Sequence, residues 1–553
     1  VSAQSLGPTG RAPGDGLPVV RPAGAHTTAA SGRTVAWLLD LRATDRAQHP
    51  FIVWEPFDGP TRTYTYAEFA YRVRRVAAGL RRRGAGRGDR VIIHLDNCPE
   101  FLMAWFACTR IGAVAVSTST RSAAEELTYF GEHSGAVAAV TQPGLADRLG
   151  SALPGLRWIA VTAADPDPEG AGAAGTAGDP FESLMGDEAD GAPADLGSFD
   201  PAWIQYTSGT TSRPKAVVLT HANALWSAKV SAQHETLTAA DVHLVHLPLF
   251  HINALCYSTL ASLFVGGTAV VQPRFSASRF WEVAVRNGCT WTSVAPFCVR
   301  SLLEREAPAD HRFRLWGNGY SGGPEDARFG IRTLAWYGLT ETVSHAVIDE
   351  PETPGHPFGM GRPAPEYRVR VVDAEGRPVE PGQTGSVLVQ GVPGLSLFAG
   401  YLHDEAATAA AVDAQGWLTT GDRATVHDDG YLSFADRDKD MLKVGGENVA
   451  ASEIERVVME VPGVVEVAVV GAPDRMLDEV PVAFVVAAAA VGDDRRPELA
   501  EAVLAACRQR LSDFKVPRQV RVVDDMPRST LNKIAKAELR RALRDERSIP
   551  AVG

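Results

Sequence analysis

Short apolar runs, polar breaks and helical patterns follow one another along this chain. Val91, Ile92 and Ile93 lead an apolar run over residues 91–95, Asp96 and Asn97 break it, Pro99 opens a helical pattern, and the β-prone run 113–116 follows. That order predicts a βαβ-like unit. The runs 244–247, 268–271 and 292–294 repeat the alternation with helical patterns between them, so the large part of the chain is predicted to be α/β with layered sheets. An amphipathic helix pattern starts near Tyr66 and ends on Arg81-Arg82-Arg83. Shorter runs punctuated by Gly and Pro, at 367–372, 385–389 and 430–434, predict a small β-rich subdomain. After Lys439 come a helix from near Ser452, strands near 465–470 and 481–486, a helix from Pro497 and a loop at Lys533. This α+β unit is large enough to fold by itself. No fixed-period repeat is present.

Composition narrows the class. With 553 residues, 45% of them hydrophobic, the chain can bury large cores in more than one domain. The net charge is −12, but residues 165–200 hold ten acidic side chains and no Lys or Arg, and the remainder is nearly neutral. That Gly- and Ala-rich segment reads as a solvated insertion. The run Arg81-Arg82-Arg83 has no interleaved aromatics and reads as a solvated helix end, so nothing favours a nucleic-acid partner. Six cysteines without CxxC or metal-ligand spacing read as reduced core thiols. Residues 1–32 contain no apolar leader and read as a disordered start, and no segment offers about eighteen uninterrupted apolar residues. A cytoplasmic protein without membrane insertion is the expectation.

The candidate chemistry begins at Tyr206-Thr207-Ser208-Gly209-Thr210-Thr211-Ser212-Arg213-Pro214-Lys215. Hydroxyls, backbone amides and the Lys215 ammonium in one Gly-containing loop suit a polyphosphate. It is not a Walker A loop, because Pro214-Lys215-Ala216 stands where that motif requires Gly-Lys-Ser/Thr.

This stretch resembles the phosphate loop of the adenylate-forming superfamily of acyl-CoA ligases, luciferases and peptide-synthetase adenylation domains. Tyr337-Gly338-Leu339-Thr340-Glu341-Thr342 resembles its adenine and magnesium motif, Thr419-Thr420-Gly421-Asp422 its ribose motif, and Asp436-Arg437-Asp438-Lys439-Asp440 its hinge. Lys443-Val444-Gly445-Gly446-Glu447-Asn448 and Pro527-Arg528-Ser529-Thr530-Leu531-Asn532-Lys533-Ile534 resemble the two loops that follow. Ser212-Arg213 and the residues around Gly445 are most similar to the carnitine/crotonobetaine-CoA ligase branch. The resemblance implies an N-terminal domain over 33–437, a hinge at 438–439 and a mobile C-terminal domain over 440–553. It further implies ATP, Mg²⁺ and coenzyme A, with Thr207, Ser208, Gly209, Thr210, Thr211 and Lys215 on the β- and γ-phosphates and Thr340 on the α-phosphate. Glu341 is then the metal ligand, Tyr337 lies at the nucleotide, and Asp422, supported by Arg437, takes the ribose. Lys533 is the catalytic lysine of the first half-reaction, and rotation about Lys439 exchanges it for the Gly445-Gly446 loop that admits the CoA thiol.

On the acyl side, Pro248-Leu249-Phe250-His251 resembles the gating aromatic region, and the Phe-Asp pair that holds an α-amine is missing. The implied substrate is a non-amino carboxylic acid. Three departures sit at the adenine side: a shortened segment from Gly317 to Tyr337, Ala335 where a polar residue is usual, and Trp336 where a small one is usual. Trp336 thus has three readings: in the nucleotide site, along the acyl pocket, or in the core. If it blocks adenine, ATP use is weakened and a separate adenylating enzyme supplies the acyl adenylate. A non-catalytic nucleotide-binding descendant is the alternative of another class.

Overall fold

Strands that read as unbroken apolar runs belong in sheets covered on both faces, and that is where these runs lie. The computed structural model describes Leu17 and residues 32–167, 177–207, 214–353, 355–437, 442–444, 447–474, 477–488, 491–511, 513–528 and 534–547. The chain divides into two compact units, Val1–Val369 with Val389–Leu418, and Arg370–Leu388 with Thr419–Gly553.

In the first unit, the predicted βαβ element consists of Arg90–His94, the helix Pro99–Ile111 and Val114–Ser117, with the two strands parallel. Among the described residues they belong to an eight-stranded sheet whose order runs Gly400–Tyr401, Lys215–Thr220, Pro201–Thr207, Val114–Ser117, Arg90–His94 and on through Ala136–Thr141. A second, nine-stranded sheet carries Arg332–Tyr337, Leu315–Asn318, Trp291–Ser293, Val242–Val245 and Thr268–Val271 as parallel neighbours. Almost every residue of the helix Pro99–Ile111 is buried, as expected of a helix that is apolar all round. The six cysteines are buried and free, as read from the sequence. No helix among the described residues is long and apolar enough to cross a membrane.

The acidic segment keeps most of its described carboxylates exposed, as its composition suggests, but it is also packed against the fold. Within it, residues 177–200 form a strap packed along the helix Tyr66–Arg82. Arg74 pairs with Glu188, Arg83 with Asp179 at 2.8 Å, and Arg81 and Arg82 donate to the Asp190 and Ser183 carbonyls at 2.6 and 2.8 Å. The arginine run therefore also has a structural job instead of a purely solvated one. Composition does not show this docking, because the opposing cations lie about a hundred residues upstream. Contact is close: a β-carbon on Gly79 would lie 1.7 Å from the Leu184 carbonyl oxygen, and one on Gly191 would lie 1.9 Å from that of Arg74. Gly79→Ala is thus expected to destabilise the protein by about 2 kcal/mol through overpacking and to open residues 177–200 to protease. Unchanged urea unfolding together with an unchanged cleavage pattern would contradict this docking.

Among the described residues, most of a four-stranded sheet with Thr384–Gln390, Trp417–Val426 and Leu432–Arg437 belongs to the second unit. That unit also contains a sheet built on the long antiparallel pair Val464–Asp474 and Asp478–Ala487, with Gln519–Val523 parallel at its side. Ile454, Val458, Val469, Val485 and Val503 bury one face of that sheet, and Val470, Phe484, Leu539 and Leu543 the other.

Candidate active site

Lys215 opens a strand that runs antiparallel to Pro201–Thr207, so Thr207 and Lys215 stand opposite each other. The Thr207 hydroxyl donates to the Lys215 carbonyl at 3.5 Å. Ser208, Gly209, Thr210 and Thr211 lie outside the described residues. On its other side the same strand pairs with Gly400–Tyr401. The Lys215 ammonium lies 4.5 Å from the centre of the Tyr401 ring, and the Tyr401 hydroxyl donates to Glu341 Oε1 at 2.9 Å. The Phe398 amide donates to the Glu341 carbonyl at 2.8 Å. Glu341 sits in the single turn Thr340–Thr342, and Gln205 Nε2 donates to the Thr340 hydroxyl at 3.4 Å. Burial first, and then the Glu341 carboxylate, push the Tyr401 phenol above its ordinary range, so it stays a donor.

The fold therefore brings Lys215, Thr340 and Glu341 to one place. It does so through Gln205 and Tyr401, which the motif reading missed. A Gly-Tyr pair among apolar residues carries no chemical signal of its own; only pairing with the strand of Lys215 reveals it. Among the described residues no three His, Cys, Asp or Glu side chains gather as a metal cage. One carboxylate and a hydroxyl are nonetheless an oxygen donor set of the kind Mg²⁺ takes when substrate phosphates and water complete its shell.

Tyr337 ends the strand Arg332–Tyr337 and is buried. Its neighbour Trp336 is buried among other rings. The indole lies nearly parallel to His345 at 4.5 Å and 11° on one side, and to Trp291 at 5.8 Å and 12° on another. His243 stacks on Trp291 at 5.4 Å and His234 on His345 at 5.7 Å, which completes a column of five rings. A β-carbon on Gly317 would overlap the indole at 1.6 Å, so glycine there makes room for Trp336. Burial holds the His345 imidazole well below its usual range and therefore neutral. Ala335 is fully buried, and its carbonyl accepts the Asp349 amide at 2.9 Å. His251 lies beside Phe250 with ring centres 4.6 Å apart.

In the second unit Asp422 is 3% exposed, its amide donates to the Thr420 hydroxyl at 3.1 Å, and it stands in register with Arg437 on the neighbouring strand. Lys439, Gly445, Gly446 and Lys533 lie outside the described residues.

Residues 39–402 match the AMP-binding enzyme family, and residues 453–533 match the AMP-binding enzyme C-terminal domain. The chain belongs to the AMP-binding enzyme family. A crotonobetaine/carnitine–CoA ligase from Salmonella paratyphi A is 32% identical to this AMP-binding enzyme over 506 residues, which is 88% of this chain and 95% of that protein. Among solved structures, ATP-bound MatB from Rhodopseudomonas palustris superposes with a TM-score of 0.79 at 28% identity, covering 92% of this chain and 99% of its own. An O-succinylbenzoate coenzyme A synthetase from Bacillus subtilis, in complex with ATP and magnesium ion, superposes with a TM-score of 0.75 at 28% identity, covering 92% and 99%.

Proposed function

We propose that this AMP-binding enzyme converts a carboxylic acid without an α-ammonium group to its CoA thioester through an acyl adenylate, using ATP. The observation that carries the reading is the meeting of Lys215 and Glu341 at Tyr401, with Thr340 next to Glu341 and held by Gln205, and the likeness to named CoA ligases stands beside it. In the first half-reaction a carboxylate oxygen attacks the α-phosphorus and pyrophosphate leaves. The barrier is one of anion repulsion, which fixed cations and donors reduce. Thr207, Ser208, Gly209, Thr210, Thr211 and Lys215 hold the β- and γ-phosphates, and Thr340 donates to the α-phosphate. Glu341 is the ligand for Mg²⁺, which neutralises phosphate charge when bound. Asp422 accepts the ribose hydroxyls with Arg437 in support, Tyr337 borders the base, and Lys533 bridges carboxylate and α-phosphate.

In the second half-reaction the CoA thiolate attacks the acyl carbon and AMP leaves, with Gly445 and Gly446 admitting the thiol. Lys439 is the hinge between the two states. His251 borders the acyl group, and Trp336 is a packed wall behind it. An indole committed to the ring column has no reason to block adenine, and nothing in the comparisons points to a partner that supplies the adenylate. ATP and CoA are cytoplasmic pools, so the cytoplasm is the compartment we assign. The test is a panel of carboxylic and amino acids offered with ATP, Mg²⁺ and CoA, scored by pyrophosphate release and by thioester mass. A non-amino acid giving both supports the reading; thioester formed only from supplied adenylate would overturn it.

A further inference from the structure

Tyr401 faces the Lys215 ammonium with its ring and donates its hydroxyl to Glu341. Its place is built from three directions. The strand Gly400–Tyr401 pairs with Val217 and Val218, and the Ala399 and Leu402 amides donate to the Val218 and Ala216 carbonyls at 2.9 Å each. Two residues earlier, the Phe398 amide grips the Glu341 carbonyl at 2.8 Å, and the Tyr401 amide itself donates to the Thr408 hydroxyl at 2.9 Å. The residue is 8% exposed. A residue this fixed presents two distinct groups to two charged neighbours: its π-face to the ammonium and its hydroxyl to the carboxylate.

We infer that Tyr401 is a positioning residue that sets the Lys215 ammonium and the Glu341 carboxylate at a fixed spacing, its ring serving the lysine and its hydroxyl the glutamate. The inference rests on the proposed function above and adds a division of labour within one side chain. An ammonium facing a triphosphate and a carboxylate facing its cation must be held apart, or they neutralise each other. A tyrosine between them does this, since the ring attracts the cation while the phenol donates to the anion. Glu341 Oε1 then has a fixed direction before any ligand arrives, and Lys215 is kept over an aromatic face instead of reaching across to the carboxylate.

The two groups separate experimentally. Tyr401→Phe keeps the ring and loses the donor; Tyr401→Leu loses both. Calorimetry on the full chain, with ATP plus Mg²⁺ and with ATP plus chelator, reads the two roles. Tyr401→Phe is expected to weaken Mg²⁺-ATP binding about tenfold, the scale of a lost hydrogen bond to a charged group, and chelated ATP less than about twofold. Tyr401→Leu is expected to weaken both. In a double-mutant cycle, Tyr401→Phe on a Glu341→Ala background should cost no further Mg²⁺-ATP affinity, because the acceptor has gone. An equal loss with and without Mg²⁺ in Tyr401→Phe would mark a merely structural residue and overturn the inference, as would no loss at all. A parent protein that binds Mg²⁺-ATP and adenylates an acid while Tyr401→Phe behaves as the parent defeats the inference alone. A parent that binds no ATP in either condition defeats the functional reading and the inference with it.

Discussion

Replacing Lys533 by alanine is expected to slow adenylate formation by a factor of at least ~100, while thioester formation from supplied adenylate keeps its rate. In the first half-reaction an anionic carboxylate has to meet an anionic phosphate, and an ammonium bridging the two lowers that barrier. In the second half-reaction no carboxylate has to approach the phosphate, so a bridge between those two anions is not required. The flanks of the lysine are anchored within the second unit: Arg528 and Ile534 form an antiparallel β-bridge, Arg528 pairs with Glu466 at 2.7 Å, and the Ala535 amide donates to the Pro527 carbonyl at 2.7 Å. Single-turnover measurements of each half-reaction separate the cases. Equal losses in both would show that Lys533 acts through structure or throughout the cycle.

Glu341→Gln is expected to reduce adenylation by about 10² to 10³ and to raise the Mg²⁺ concentration needed for half-maximal rate. The substitution removes one negative charge at constant shape. Glutamine still offers a carbonyl oxygen to the Tyr401 hydroxyl, which now donates to Glu341 Oε1 at 2.9 Å, and the backbone bond from Phe398 is untouched. Loss of activity therefore reports the charge and not a collapsed turn. Pyrophosphate release measured across a Mg²⁺ titration checks it. A variant that saturates at the parent's Mg²⁺ concentration with the parent's rate would remove Glu341 from the metal site.

What the sequence discloses depends on how far apart the interacting parts lie. The unit from Arg90 to Ser117 was legible because buried parallel strands need continuous apolar runs and Pro99 marks a helix start. Lys215 was a candidate from the chemistry of its loop, whereas Thr340 and Glu341 were named only through the family resemblance of their motif. Tyr401 was not legible: its hydroxyl meets Glu341 across 60 positions, and its ring meets Lys215 across a sheet edge that no local pattern announces. Trp336 was ambiguous for the same reason. An unusual indole beside a nucleotide motif suggests an obstruction until His345, Trp291 and Gly317, each from a different segment, are seen to enclose it. The docking of residues 177–200 was not legible, because charge composition says nothing of a facing helix; Arg83 and Asp179 are 96 residues apart.

The central claim is that a carboxylate oxygen attacks the α-phosphorus of ATP and leaves with AMP. An accepted acid labelled with ¹⁸O in its carboxylate tests this most directly, with the AMP, pyrophosphate and thioester from one complete turnover analysed by mass. The account predicts one ¹⁸O in AMP, none in pyrophosphate, and one retained in the thioester carbonyl. Label appearing in inorganic phosphate with ADP as the other product, or unlabelled AMP alongside labelled thioester, would contradict it.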